Sequence, residues 1–396
     1  MINKLGQFYT EDLISNLMIS RILNKNPKTI VELGIGQGSL AKAALKRWKN
    51  SRIIGIDIDA NNIETLKTTF PKIQCFLING LSSNLSSNLK IKLGSVDVGI
   101  CNPPYLTVKK NPEIEKILIS AGLGDFNDYT NISSDLVFLA QNLNLIKLNG
   151  ELAIILPDGL ITSHQFHKFR KLLLANYAIS ACIELPSKIF KKTEAKTYIL
   201  IIKKTLTKSK KINLFLANNS AELIDKISIS IDKAIHRMDY TYYSLMPKPI
   251  FLSNGVSLED LNAKIFRGSL SKKSLETRNY EYIHTNSFNQ LNEDLVLEDK
   301  KVLPQSNFNY AKEGDILIPR VGKSCLGKVM RIVKGEILIS DCVYVIRIDK
   351  QERNELFNIL NSDYGRKWII AHAHGVCAQV ISKKDLLKFK IPLNTK

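Results

Sequence analysis

Asparagine, two prolines and a tyrosine at positions 102–105 are the residues of this 396-residue chain whose types and spacing most directly suggest chemistry. They follow the apolar run Val96-Asp97-Val98-Gly99-Ile100-Cys101, which reads as a buried strand, and precede a polar stretch from Thr107 to Pro112. At a strand end, the Asn102 amide oxygen and the Pro103 carbonyl can accept the two hydrogens of a planar amino group. Pro104 stiffens the corner, and the Tyr105 ring offers a face on which a flat system can stack. Asn and Pro are also ordinary turn residues. Taken alone, the four residues leave two uses open, a strand-ending turn or a grip on an amino group.

The elements before the corner decide between them. Thr29 to Leu33 reads as a strand, Gly34-Ile35-Gly36-Gln37-Gly38 as a glycine-rich turn, and the residues through Trp48 as an amphipathic helix. This is the first unit of a Rossmann-like sheet. The spacing is not the dinucleotide fingerprint, because the third glycine comes one residue early and Glu32 precedes the first. An acid at that strand end suits a cationic ligand better than a pyrophosphate. A second strand, Arg52 to Asp57, ends in an acid positioned to accept hydrogen bonds from both ribose hydroxyls of an adenosine. A third, Ile73 to Ile78, ends at Asn79-Gly80, and the fourth delivers Asn102. All four endings fall on the carboxyl edge, where open α/β sheets bind ligands. Upstream, Leu13, Ile14, Leu17, Met18 and Ile22 have helical spacing, with Thr10 placed as N-cap and Glu11 and Asp12 in the first turn.

In this order the motifs resemble the S-adenosylmethionine-dependent amino-methyltransferases, specifically the DNA adenine-N6 group in which the cofactor motif precedes the catalytic one. The resemblance implies S-adenosylmethionine as methyl donor, held by Thr10, Glu32, Gly34, Gly36, Gly38, Asp57, Asn79 and Asn102. Gly6-Gln7-Phe8-Tyr9-Thr10 is similar to that group's first cofactor motif, with Glu11 where proline is common, and Asn79 stands where an acid often holds the adenine amino group. Asn102, Pro103, Pro104 and Tyr105 take the catalytic role. An amphipathic helix from Asp135 to about Asn149-Gly150, a strand and loop over Glu151–Gly159, a helix over Phe166–Leu174 with Arg170, the segment Ile183 to Phe190 and a closing strand Thr197–Lys203 continue the likeness. It extends to the modification subunits of type I restriction systems and their single-chain relatives, over roughly residues 6–205. It implies that Phe190 stacks on a flipped base opposite Tyr105.

The expected organisation is a catalytic domain at 1–205, a connector at 206–255 and a second domain at 256–396. In the connector, Leu223, Ile227 and Ile231 suggest a helical stretch, and Pro247 and Pro249 interrupt. The second domain shows short β-rich segments between Gly and Asp turns and one helix, Leu356–His372. It resembles one target-recognition domain of a type I specificity subunit, without that family's long spacer helices or its second recognition domain. The fold class is therefore α/β, a Rossmann-like methyltransferase sheet with helices on both faces, plus a smaller α+β DNA-recognition domain. Arg320, Lys323 and Lys328 lie on turns from which they can reach phosphates or base edges.

Composition agrees with a polyanionic partner. The net charge is +19, and residues 186–211 hold nine lysines against one acid, Glu194. A lysine-rich surface accounts for the total but less well for the clustering. The six cysteines lack Cys-x-x-Cys spacing and read as reduced thiols of a cytoplasmic protein. Neither His164 with His167 nor His372 with His374 has the accompanying ligands of a metal site. No run is long and apolar enough for a membrane span, and the N-terminus lacks the apolar core of a signal peptide.

The expected activity is site-specific transfer of a methyl group to N6 of an adenine flipped out of double-stranded DNA, in a restriction-modification setting that leaves room for a separately encoded endonuclease. Protein-glutamine and RNA methyltransferases use the same four-residue corner and supply the alternative. A DNA-binding module with a degenerate catalytic domain is a third reading, disfavoured by the intact Glu32, glycine turn, Asp57 and Asn102 corner. A cleavage signature strung from Pro157-Asp158 and Glu194-Ala195-Lys196 is set aside, since both pieces lie inside methyltransferase segments.

Overall fold

The computed structural model describes residues 11–124, 130–187, 189–190, 196–207, 209–246, 255–288, 292–297, 308–322, 324–374 and 378–392. Thr10 and Lys323 lie outside them. The chain divides into two units, residues 1–240 and 241–396.

The first unit is built on strands β1 (Thr29–Leu33), β2 (Arg52–Asp57), β3 (Ile73–Leu77), β4 (Val96–Cys101), β5 (Thr107–Lys109), β6 (Asn131–Ser133), β7 (Ile146–Pro157), β8 (Ala178–Glu184), β9 (Thr197–Lys203), β10 (Lys211–Ala217) and β11 (Leu223–Ser230). Nine of them form one sheet in the order β11-β10-β8-β9-β7-β4-β1-β2-β3, while β5 and β6 pair separately. The stretch from β3 to β7 is parallel, and β9 enters antiparallel between β7 and β8. Parallel strands covered on both faces read as continuous apolar runs. β4 fits that rule, with all six residues buried. Its one acid, Asp97, sits near the amino end and accepts the Lys28 and Thr29 N–H groups at 3.0 and 2.8 Å, while Lys147 pairs with it at 2.5 Å. Glu151 on β7 accepts the Leu23 and Asn24 N–H groups in the same manner. Carboxylates thus stitch the amino edge, and the opposite edge carries the groups singled out in the sequence.

Four expectations are corrected. The first helix, Asp12–Ser20, has Glu11 rather than Thr10 at its N-cap position and turns Leu13 to water. The helix expected over 135–150 is Ser134–Leu145 and is not amphipathic, since every residue but Asn144 is buried. Its polar side chains are bonded internally, Gln141 Nε2 to the Ser82 carbonyl at 2.7 Å and Asn142 Nδ2 to the Phe138 carbonyl at 2.8 Å. The expected connector holds two further strands of the sheet, β10 and β11, and the short helices Ile231–His236 and Tyr240–Leu245. Ile227 and Ile229 alternate with Ser228 and Ser230, a period of two that pairs β11 with β10 rather than forming a helix, so the first unit runs to residue 240. In the second unit the single helix expected over 356–372 is two, Arg353–Asn361 and Asp363–His372. Ser362 ends the first and caps the second by accepting the Gly365 N–H.

The second unit has its own apolar cores. Strands Lys264–Arg267, Val343–Arg347, Ile316–Pro319, Val329–Lys334 and Asn292–Val296 lie side by side in that order, and Tyr282–Ile283, Glu336–Ile339 and Tyr310–Lys312 form a second sheet. Among the described residues, no helix is long and apolar enough to cross a membrane.

Candidate active site

A cleft opens at the carboxyl ends of β1, β2, β3 and β4. Glu32, Gly34, Gly36, Asp57, Asn79 and Asn102 all line it, so four strand endings chosen from the sequence meet in one place. The turn after β1 requires glycine. Gly34, Gly36 and Gly38 have φ of 77°, 53° and 78°, a left-handed conformation that side chains disfavour. The Gly34 and Ile35 N–H groups donate to the Ile56 carbonyl at 3.0 and 2.8 Å, which fastens the turn to the end of β2. Asp57, 4% exposed, completes the fastening, its carboxylate accepting the Gly36 N–H at 2.7 Å and the Asp59 N–H at 2.9 Å.

Glu32 is buried at the end of β1, and its Oε2 has no hydrogen-bond partner. Burial raises its pKa well above the usual carboxylate range; the hydrogen bond from the Ala41 backbone opposes this and the Asp57 charge adds to it. A buried carboxyl in that condition is a ready partner for a cationic group. The Asn79 side-chain oxygen accepts the Leu81 N–H at 3.0 Å, so it shapes the turn after β3 as well as facing the cleft.

At the corner, Pro103 is buried while Asn102, Pro104 and Tyr105 are partly exposed. The Tyr105 hydroxyl donates to Asn102 Oδ1 over a long 3.4 Å. Burial, and then the neighbouring Asp135 carboxyl, push the Tyr105 phenol well above its usual pKa, so it keeps its proton and remains a donor. Asp135 is itself raised by burial, although Ser133 and the Leu136 N–H donate to it.

Several groups at this site escaped the sequence reading. Ile58 lies between two acids just past β2, stays 55% exposed and lines the cleft. An apolar residue where a strand leaves the sheet was the available signal. Phe138 also lines it, and a Cβ on Gly80 would come within 2.7 Å of its ring. Ser134 reaches the corner from 28 and 30 residues away, and nothing local in the sequence marks it.

Other expected residues lie elsewhere. Phe190 does not line the cleft. It is 3% exposed and packed in the apolar core of the first unit, where the stacking face expected of it is covered. Arg320 Nε donates to the Asp341 carbonyl at 2.9 Å, and Lys328 Nζ to the Phe288 carbonyl at 2.9 Å. Each therefore braces its own unit rather than standing as a fully solvated loop cation. Arg170 is fully buried, donating to the carbonyls of Leu160, Ser163, Ile235 and His236. Of the set-aside cleavage signature, Asp158 is bonded by Tyr198 and Thr162 and Lys196 pairs with Glu184, while Glu194 and Ala195 lie outside the described residues.

The chain is similar to known proteins. Residues 2–282 match the model of the family described as N-6 DNA Methylase. Among curated relatives, Type II methyltransferase M.AccI of Acinetobacter calcoaceticus is 29% identical over 163 residues, covering 40% of this chain and 29% of that protein. Type II methyltransferase M.BsuBI of Bacillus subtilis is 25% identical over 198 residues, covering 45% and 38%. The chain thus spans well under half the length of either relative. In fold it is similar to the type IIG restriction endonuclease BpuSI, with a TM-score of 0.50 at 14% identity over 97% of this chain and 57% of that one. Because the family match takes in the glycine turn, the Asn102 corner and well over half of the chain, this protein belongs to the N-6 DNA Methylase family.

Proposed function

We propose that the protein transfers a methyl group from S-adenosylmethionine to N6 of an adenine flipped out of duplex DNA, as the modification activity of a restriction-modification system. The observation that carries this reading is the convergence of Glu32, the glycine turn, Asp57 and Asn102 on one cleft. The residues fit the donor. The unpartnered Glu32 Oε2 is matched by an ammonium group, the glycine turn admits a closely approaching chain, Asp57 faces ribose hydroxyls, and Ile58 offers an apolar surface to a purine. When bound, S-adenosylmethionine supplies a methyl group made electrophilic by its sulfonium.

The exocyclic nitrogen of adenine is a poor nucleophile because its lone pair is delocalised into the ring. Asn102 Oδ1 and the Pro103 carbonyl accept its two hydrogens, draw the nitrogen toward tetrahedral geometry and free the lone pair. Catalysis here is chiefly positioning and fixed dipoles. The long bond from the Tyr105 hydroxyl to Asn102 Oδ1 is easily exchanged for one from the incoming amino group. Extrusion of the base costs a few kcal/mol, which stacking on the Tyr105 ring helps to offset. A second stacking face from Phe190 requires that ring to leave its core packing. Residues 256–396 are assigned to target recognition.

Labelled methyl transfer to duplex DNA, RNA and a release-factor-like protein, measured side by side, tests the reading. Label at adenine N6 of the duplex is expected. Label confined to RNA or to a protein glutamine would replace this reading with the alternative.

A further inference from the structure

Ser134 is fully buried at the start of the Ser134–Leu145 helix and touches the corner three times. Its backbone N–H donates to the Leu106 carbonyl at 2.8 Å. Its hydroxyl accepts the Leu106 N–H at 3.0 Å and donates to the Pro104 carbonyl. The Pro104 carbonyl and the Leu106 N–H belong to the two peptide groups that flank Tyr105. One hydroxyl therefore sets the relative orientation of both planes, which is the backbone conformation of Tyr105.

The anchor itself is enclosed and hydrogen-bonded. The helix is buried at every residue but Asn144. It also carries Phe138, which lines the cleft, and Gln141, which holds the Ser82 carbonyl in the turn after β3. Pairing of β5 with β6, Thr107 opposite Ser133, continues the grip on the segment leaving the corner.

We propose that Ser134 is the positioning residue that aims the Tyr105 ring, coupling the base-stacking face to the helix that also lines the cofactor cleft. The proposal rests on reading Tyr105 as the ring that receives the target base. Without the hydroxyl, two partly buried backbone groups lose a partner and the Tyr105 peptides can turn. A misplaced group near the chemistry slows turnover about 10- to 100-fold.

Two measurements test this on the full chain. In protein labelled with 3-fluorotyrosine, the residue 105 resonance is assigned by its loss in Tyr105→Phe, and Ser134→Ala is expected to shift or broaden it. In a double-mutant cycle on duplex methylation, Ser134→Ala should slow the wild type by the factor above, yet change Tyr105→Ala less than about twofold, because it acts through that ring. An unchanged resonance or an additive cycle overturns the proposal. So does loss of S-adenosylmethionine binding in Ser134→Ala, which would assign Ser134 to the fold at large. Failure of the wild type to methylate duplex DNA would instead remove the acceptor reading, while the resonance still decides the role of Ser134.

Discussion

Glu32 carries a carboxyl group out of water and leaves one oxygen unpaired, which makes its protonation part of the binding equilibrium. Burial holds its folded pKa well above the unfolded value, so the free protein keeps the proton to higher pH than an exposed glutamate would. An ammonium group beside it favours the ionised form and drives that proton off. S-adenosylmethionine affinity should therefore fall as pH drops below the raised pKa and level off above it. Stability runs the other way. A carboxyl raised on folding contributes stability that is fully present below the unfolded pKa and is lost as pH rises through the folded one. Glu32→Gln should flatten both slopes. Calorimetric titration with S-adenosylmethionine in buffers of different ionisation enthalpy would show proton release from the wild type and none from the variant; equal release from both would refute the assignment. Asn102 is the second residue-scale test. Asn102→Ala removes one of the two acceptors, and methylation should fall at least about 100-fold, as for loss of a preorganised polar group. Duplex affinity should stay within a few-fold, and a still-active variant would mean that the chemistry lies elsewhere. Both residues were legible because each closes an apolar strand with a polar group. Ser134 was not, since its partners lie about thirty positions away and its own neighbourhood looks like any helix start.

The strands at the site were legible for the same physical reason that they are buried. β4 follows the expected Val96–Cys101 run, and β3 ends one residue short of the expected Ile78. The elements behind them were harder, because tertiary packing overrode local pattern. The Ser134–Leu145 helix reads as one-sided from its leucines, yet it is enclosed on all sides and its amides find partners inside. β11 has isoleucines at both helical and alternating spacing, and pairing with β10 selects the latter. Two substitutions test these elements. Gly80→Ala places a Cβ 2.7 and 2.8 Å from two Phe138 ring carbons, so the ring must move where the helix lines the cleft. S-adenosylmethionine binding should weaken about 10-fold, as an overpacking cost of about 1 to 3 kcal/mol at the cleft implies, while the circular dichroism spectrum is retained. Unchanged affinity would show that Phe138 yields freely. Arg170→Met removes a buried guanidinium that serves four carbonyls near the short helices at 158–176 and 231–236. Leaving those acceptors unpaired should cost about 3 kcal/mol or more, read as a lowered midpoint in urea denaturation. A midpoint equal to that of the wild type would count against the bracing role.

At the scale of the whole molecule, two units with separate cores share a charge of +19, and the sequence concentrates that charge unevenly. Residues 300–396 hold eighteen Lys and Arg against nine acids, while 256–299 hold five against eight. That shift falls inside the second unit and does not mark the division at 240, which lies within the stretch expected as a connector over 206–255. What composition could not reveal is how many cations are already occupied. Arg347 pairs with Asp315 at 2.7 Å, Arg331 with Asp294 at 2.7 Å, and Arg320 and Lys328 hold backbone carbonyls. Arg320→Ala and Lys328→Ala should therefore lower stability as well as duplex affinity, and thermal melting must accompany any binding assay of them. The remaining positive charge makes the broader prediction. A protein that neutralises six or more phosphates releases their counterions, and its duplex affinity should fall about 1,000-fold between about 50 and 200 mM salt. Fluorescence anisotropy with a labelled duplex across that range measures the slope. A slope near zero would mean that the basic excess does not face DNA, and would count against duplex DNA as the acceptor, since the Asn102 corner is shared with the RNA and protein alternatives.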